Sequence, residues 1–331
     1  MESYRGDMNL KTLLETERVK KYYGKERAGR NNRHCLVKAV DGVTLQIKQG
    51  KSMALIGESG SGKTTFGKMA AGLERVSSGR IFLQGKEIQE LKERELRPMR
   101  KHMQMIFQSS SGVFDPCYTV GESIREVLKN FTDLSDAECD EKVEMILRKV
   151  GLDPSLAGRY AGQLSGGQCQ RANIARALVL NPQLVVCDEP VSSLDFSIRK
   201  QILNLLNEMQ EEMDVTYLLI THDLSNVPYI CEHVAIMYRG CVVEQMESAA
   251  SMEREALHPY TNMLFRSVPM KDPDKRKNIR REYTAAPEEN SFFEGCVYQK
   301  RCKYCMPVCM NSKPALKKIA DGHMVACHCY E

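Results

Sequence analysis

Three stretches of the chain carry residue types spaced for phosphate chemistry. The run GESGSGKT, Gly57 to Thr64, fits G-x-x-x-x-G-K-[ST]. Glycines let a backbone curl until its N–H groups point at phosphate oxygens; the lysine then reaches the β and γ phosphates, and the final hydroxyl offers a ligand to Mg2+. Gly57, Glu58, Ser59, Gly60, Ser61, Gly62, Lys63, Thr64 and the adjoining Thr65 are therefore candidates for nucleotide contact. Alone, the loop indicates an NTPase or a kinase. The second stretch, LVVCDE, ends an apolar run in two acids, of which Asp188 can hold Mg2+ and Glu189 can orient or deprotonate water. Such a pair is often just a solvated strand end, and its pairing with the glycine loop makes that reading weaker here. The third, QLSGGQCQRANIARAL from Gln163 to Leu178, opens a helix with Ser-Gly-Gly, a second anion-ready N-terminus. One phosphate chain within one subunit does not need two cradles, so this one serves another subunit's nucleotide, or else is an ordinary cap by Ser165.

The elements that must position these residues are legible around them. KAVDGVTLQIKQGKSMALIGESGSGKTTFGKMAAG reads as a strand, a turn at Gln49-Gly50, a buried strand from Ser52 to Ile56, the loop, and a helix from Lys63. Gln183 to Asp188 and Thr216 to Thr221 are short apolar runs rich in branched residues, as buried parallel strands are. Helical patterns lie between them. From Thr119 to Leu152 the pattern becomes charged amphipathic helix, with Ile124, Val127, Leu128, Val143, Ile146, Leu147 and Val150 on the apolar face. The expected fold class is α/β, a P-loop NTPase core with a parallel sheet and a helical insertion. Past Glu247 the text turns polar, ESAASMERE and then KDPDKRKNIRREYTAAPEEN, which reads as exposed connection before a cysteine-rich tail.

Bulk properties exclude several classes. Forty-seven Lys and Arg against forty-three Asp and Glu leave a net charge of +4 over 331 residues, too little to suggest nucleic-acid binding. No run has the length of a signal-peptide core or a membrane-spanning helix, so the chain is expected in the cytosol. Thirteen cysteines in a reducing compartment do not point to a disulfide framework, and six of them follow Gly295, where metal binding is the better reading.

In order along the chain, GESGSGKT, Phe107-Gln108, LSGGQ (Leu164, Ser165, Gly166, Gly167, Gln168), LVVCDEP, SSLD ending at Asp195, and Thr221-His222-Asp223 resemble an ABC transporter ATPase. HPYTNMLFRSVP, from His258 to Pro269, and the tail thiols resemble the C-terminal extension of oligopeptide, dipeptide and nickel importer ATPases. The resemblance implies a cassette over residues 1–250, with a helical subdomain at about 109–165, and an extension over 251–331. It implies that Tyr23 stacks on adenine, with Tyr22 as fallback because the charged insertion Lys25 to His34 blurs the register. Gln108 would contact Mg2+ and the attacking water, Glu189 would be the general base, and His222 would hold the γ-phosphate and the water. Asp195 would belong to the loop after the acidic strand. SSSGVFDPCYTV after Gln108 departs from the family's form where it meets the membrane subunit.

The implied partners are a second cassette, a paralogue for preference, two membrane permeases and, indirectly, an extracytoplasmic binding protein. The implied location is the cytoplasmic face of the membrane. Cys296, Cys302, Cys309 and Cys327 match the family's tail thiols, with Cys305 and Cys329 extra; their separations of five, six and seventeen residues are not the paired spacing of an ordinary zinc ribbon. That irregularity and the resemblance favour a [4Fe–4S] cluster over Zn2+, in a structural role. The rival within transport is a nickel or metal-chelate importer ATPase. A soluble ABC ATPase would need two cassettes or a long coiled coil, and a small-molecule kinase leaves LSGGQ unexplained.

Overall fold

The structure is a computed structural model that describes residues 11–24, 36–109, 111–267 and 294–331. Two sheets and a set of helices form its layers. The smaller sheet is antiparallel, built from β1 (Thr12–Tyr23), β2 (Val37–Lys48), β4 (Ser78–Leu83) and β5 (Lys86–Glu87) in the order β2-β1-β4-β5. The larger one runs β11-β12-β10-β9-β3-β8-β7-β6, with β3 (Met53–Ile56), β6 (Met103–Ile106), β7 (Leu184–Asp188), β8 (Thr216–Thr221), β9 (His233–Tyr238), β10 (Cys241–Met246), β11 (Lys317–Ala320) and β12 (His323–Val325). Strands β9, β3, β8, β7 and β6 are parallel, and the other three join antiparallel at one edge.

β3, β7 and β8 are buried at every residue, because parallel strands are covered on both faces. The period-two alternation of β3 divides the core in two. Ala54 and Ile56 face the cluster formed with the large helices, whereas Met53 and Leu55 face Phe66 and Met69 of α1 (Lys63–Ala70) and the smaller sheet. Beyond α2 (Glu93–Met99), the insertion folds as α3 (Val120–Phe131) and α4 (Asp136–Lys149). Thr119 with Glu122, and Ser135 with Glu138, form reciprocal caps at the two helix starts. All seven apolar positions expected to face inward there are buried. α5 (Gly166–Leu178) and α6 (Phe196–Met213) complete the helical layer.

The segment after Glu247 departs from the expectation of exposed connection. Ala249 and Met252 are buried, a short helix covers Met252–Glu255, and a longer one covers Pro259–Ser267. The charged stretch from Lys271 to Asn290 lies outside the described residues. Strand β12 pairs with β10, Met246 opposite His323, so the larger sheet crosses residue 250 and takes in the tail. A buried carboxylate makes that seam. Glu244, with no exposed surface, accepts N–H bonds from Leu257 (2.7 Å) and His258 (3.1 Å), and its Oε1 lies 2.7 Å from His323 Nε2. A carboxylate at the start of the Pro259–Ser267 helix is satisfied by orphan amides that would otherwise be buried unpaired.

His258 stands at the same junction, its Nδ1 accepting the Tyr260 N–H at 3.1 Å. Burial pushes its imidazole down to about 4. Above pH 6.5 both folded and unfolded chains hold it neutral; as pH falls below 6.5 the unfolded chain takes up a proton that the native state refuses until about 4, so stability is lost on acidification. The expected loss from this one group between pH 7 and 4 is on the order of 3 kcal/mol. His258→Asn, whose side-chain oxygen can accept the same N–H, should lack that part of the slope in urea melts; an unchanged slope would show that another group controls it.

Candidate functional site

The parallel strands deliver the chemistry at one edge. The loop Gly57–Thr64 follows β3, Gln108 follows β6, Asp188 and Glu189 close β7, and His222 follows β8, all at carboxyl ends. Side chains far apart in sequence meet there, as they do where parallel sheets bind ligands. They border a cleft of about 820 Å3 that Gly60, Lys63, Thr64, Gln108, Glu189 and His222 help to line.

Glycine is required where the loop presses on its neighbours. Gly62 has φ +101°, and a Cβ there would lie 1.9 Å from the Ala39 carbonyl oxygen; at Gly57 it would lie 2.1 Å from that of Met237. Within the loop, Lys63 Nζ donates to the carbonyls of Gly57 and Glu58, both at 2.8 Å, and to Ser61 Oγ at 3.3 Å. Burial pushes the ammonium's pKa down, and Glu189, Asp188 and Glu58 push it back. Thr64 Oγ1 donates to Asp188 Oδ1 at 3.0 Å. Burial raises the Asp188 carboxyl, the Thr64 bond lowers it, and the neighbouring Glu189 raises it again. A hydroxyl and a carboxylate joined by one hydrogen bond, with the Gln108 amide nearby, form the hard-oxygen donor set that suits Mg2+.

Glu189 is held in a left-handed backbone conformation, φ +48°, a strain of about 1–3 kcal/mol for a residue with a Cβ. Its N–H donates to Ile220 O at 2.9 Å, and its carbonyl accepts from the Ser192 hydroxyl at 3.2 Å. That geometry turns the carboxylate between two partners. Gln108 Nε2 donates to Oε2 at 3.0 Å, and His222 Nδ1 lies 2.9 Å from Oε1. The expected trio of Gln108, Glu189 and His222 is thus brought together.

The LSGGQ segment sits elsewhere. Ser165 caps α5, accepting the Gln168 N–H at 3.3 Å while Gln168 Oε1 accepts the Ser165 N–H at 3.0 Å. Ser165 and Gly166 are exposed, Leu164 and Gln168 half-buried, and Gly167 buried; none of the five borders the cleft. Asp195 is likewise exposed, ahead of Phe196, an aromatic ring 86% exposed. Tyr23 ends β1 opposite Val37, which borders the cleft although Tyr23 itself does not. Tyr22 is committed elsewhere, its hydroxyl donating to Asp41 at 2.5 Å. The insertion Lys25 to His34 lies outside the described residues.

Residues absent from the sequence expectation also reach the site. Val297, from the cysteine-rich tail, and Arg239, from the β9–β10 turn, border the cleft. The tail's thiols depart from the expected convergence. Among the described residues no three His, Cys, Asp or Glu side chains are grouped to hold a metal ion, and Cys296, Cys302, Cys309 and Cys327 are not drawn onto one point. Direct packing holds the segment instead. Tyr298 packs against Tyr238 and His258, and His328 lies 2.9 Å from Ser312 O. In kind, though, the donor set suits a sulfur-ligated centre. Four sulfurs are the donor type such a centre takes, but burial pushes the Cys296 thiol up to about 11 and Cys327 up to about 12, which favours the protonated form over the thiolate that ligates.

Comparison with known proteins agrees with this geometry. The ABC transporter family profile matches residues 40–192, and that of the oligopeptide/dipeptide transporter C-terminal region matches 243–309. The oligopeptide transport ATP-binding protein AppF of Bacillus subtilis is 41% identical over 97% of this chain and 98% of its own. The chain belongs to the ABC transporter ATP-binding family. Within it, OppF of Escherichia coli, also an oligopeptide transport ATP-binding protein, is 42% identical over 88% of this chain and 87% of its own. Among solved structures, the dimeric cassette MJ0796 bound to ADP and Pi matches with a TM-score of 0.63 at 27% identity, covering 70% of this chain and 97% of that one. The protein is thus an ABC ATPase. No helix among the described residues is long and apolar enough to cross a membrane.

Proposed function

We propose that this ABC ATPase is the motor of an importer for di- or oligopeptides, working at the cytoplasmic face of the membrane. The full-length identity to oligopeptide transport ATP-binding proteins, carried through the C-terminal region, supports this reading over a nickel importer or a soluble ABC ATPase. Two cassettes, this chain and a paralogue, pair head to tail and hold ATP between the P-loop of one and the LSGGQ segment of the other. Tyr23 is the adenine platform, since Tyr22 is tied to Asp41. Lys63 and the loop amides would hold the triphosphate, and Thr64, Asp188 and Gln108 would hold Mg2+, which would supply charge neutralisation. Glu189 takes the proton of a water that Gln108 and His222 orient. Closure and reopening of the sandwich drive two permeases between inward and outward access, while a binding protein delivers peptide from outside.

On this reading Cys296, Cys302, Cys309 and Cys327 would be the ligands of a [4Fe–4S] cluster, with Zn2+ the alternative, and the group would fix the tail. One preparation tests both parts. The complex purified anaerobically with its permeases should hydrolyse ATP faster with peptide-loaded binding protein than with a nickel chelate, and should contain iron and acid-labile sulfide. Stimulation by the chelate alone would overturn the substrate class, and one zinc per chain without iron would overturn the cluster.

A further inference from the structure

The tail touches the phosphate-binding loop through charge. Glu58, the second residue of that loop, brings a negative charge into the segment that would hold the triphosphate, although its side chain does not line the cleft. Arg301, 243 residues away in sequence, takes hold of it in a fork: Nη1 to Oε2 at 2.8 Å and Nη2 to Oε1 at 3.1 Å. The guanidinium is largely enclosed, lying 5.8 Å from the ring centres of both Tyr238 and Tyr298, and Nη1 approaches the Tyr238 hydroxyl at 3.4 Å. The backbone of Glu58 is held as well, because its N–H donates to the Tyr260 hydroxyl at 2.9 Å. Tyr260 packs on Tyr238 and Tyr298 with ring centres 4.5 and 5.5 Å apart, so one aromatic block carries both contacts. A second link lies at the other wall of the cleft, where Lys313 Nζ donates to Asp41 Oδ2 at 3.1 Å.

We infer that Arg301 is a positioning residue of the nucleotide site, which neutralises Glu58 and holds it away from the phosphates so that ATP affinity depends on the C-terminal extension. The inference rests on the P-loop being the ATP site, and deepens that reading. A planar fork suits the task because it fixes the carboxylate's direction as well as cancelling its charge. The neighbouring Lys63 also feels Glu58, whose charge raises that ammonium's pKa. Without Arg301 the loop would keep its shape and lose part of its positive potential.

The test is Mg–ATP titration of the full chain, with Arg301→Met made both in the wild-type protein and in the Glu58→Gln protein. Arg301→Met should weaken ATP binding about tenfold where the Glu58 charge is present, and the factor should shrink to about twofold where Glu58→Gln has removed it. Raising ionic strength should narrow the deficit, and KM should rise more than kcat falls, neither of which a packing defect would produce. Arg301→Lys, which keeps charge without the fork, should fall between. Wild-type affinity in Arg301→Met, or an equal loss in both backgrounds, would overturn the proposal; should that variant fail to fold, Arg301→Gln carries the same comparison. Failure of the underlying reading is distinguishable, since then the wild-type chain would not bind ATP.

Discussion

Glu189→Gln should bind ATP and almost cease to hydrolyse it, with turnover down by about 10^2 to 10^4 in the assembled complex. On the proposed reading this carboxylate is the base, and Gln108 at 3.0 Å and His222 at 2.9 Å hold it at the cleft. An amide keeps this shape. Its oxygen can accept the Gln108 N–H, and its NH2 can face the imidazole in the tautomer that accepts. Nothing that binds the triphosphate has changed, because Lys63, Thr64 and the loop amides are untouched. The lost function is removal of a proton from water. Single-turnover hydrolysis by the complex checks this, together with a binding titration on the same sample. Turnover at the wild-type rate would show that the base lies elsewhere; loss of binding would show that Glu189 supports the nucleotide rather than the water. Glutamine is the informative choice over glycine, which would also release the strained backbone at φ +48°.

The parts of this site that the sequence discloses share a physical cause. Buried parallel strands are apolar on both faces, so β3, β7 and β8 stand out as short runs, and the first polar residues after them must lie at the sheet's carboxyl edge. Asp188, Glu189 and His222 are therefore legible from local text, and Lys63 from the glycine motif that leads into its helix. The tail is different. β11 and β12 are four and three residues long, and β11 is exposed throughout, so neither carries an alternation to detect. What joins them to the cassette is Glu244 meeting His323 in the interior, a pairing that leaves no local pattern. Arg301 is hidden for the same reason, as one basic residue in a charged stretch until the fold sets it against Glu58. Thiol spacing is visible in the text, but whether the sulfurs converge is decided by tertiary packing, and among the described residues no three such ligands are grouped. The choice between Tyr22 and Tyr23 is ambiguous by register, because the charged insertion that follows leaves no fixed spacing to the strand end.

Gly166→Asp should abolish hydrolysis in the paired cassettes while leaving the isolated chain folded and able to bind ATP. The substitution is unusually clean, because a Cβ at Gly166 would meet nothing closer than Leu194 Cδ2 at 3.6 Å, an ordinary contact. The adjacent Gly167 has no such room, with Ile198 Cγ2 at 3.0 Å. Gly166 is the first residue of α5, where a carboxylate interacts favourably with the helix dipole by about 0.3–1 kcal/mol, so the variant's own melting temperature should hold or rise. Its new charge then stands at the anion-ready helix start that faces solvent in the single chain. If that start closes over a partner's γ-phosphate, two negative charges are forced together where water is being excluded, and the closed state becomes inaccessible. The expected loss in the complex is at least about 10^2 in ATPase rate, with the ATP affinity of the single chain within about twofold of wild type. Gly166→Asn, equal in size but uncharged, should retain more activity than Gly166→Asp and so separates repulsion from bulk. A large loss of ATP affinity in the single chain would mean instead that Ser165 and Gly166 act on their own subunit's nucleotide, and the head-to-tail arrangement would fall with that result.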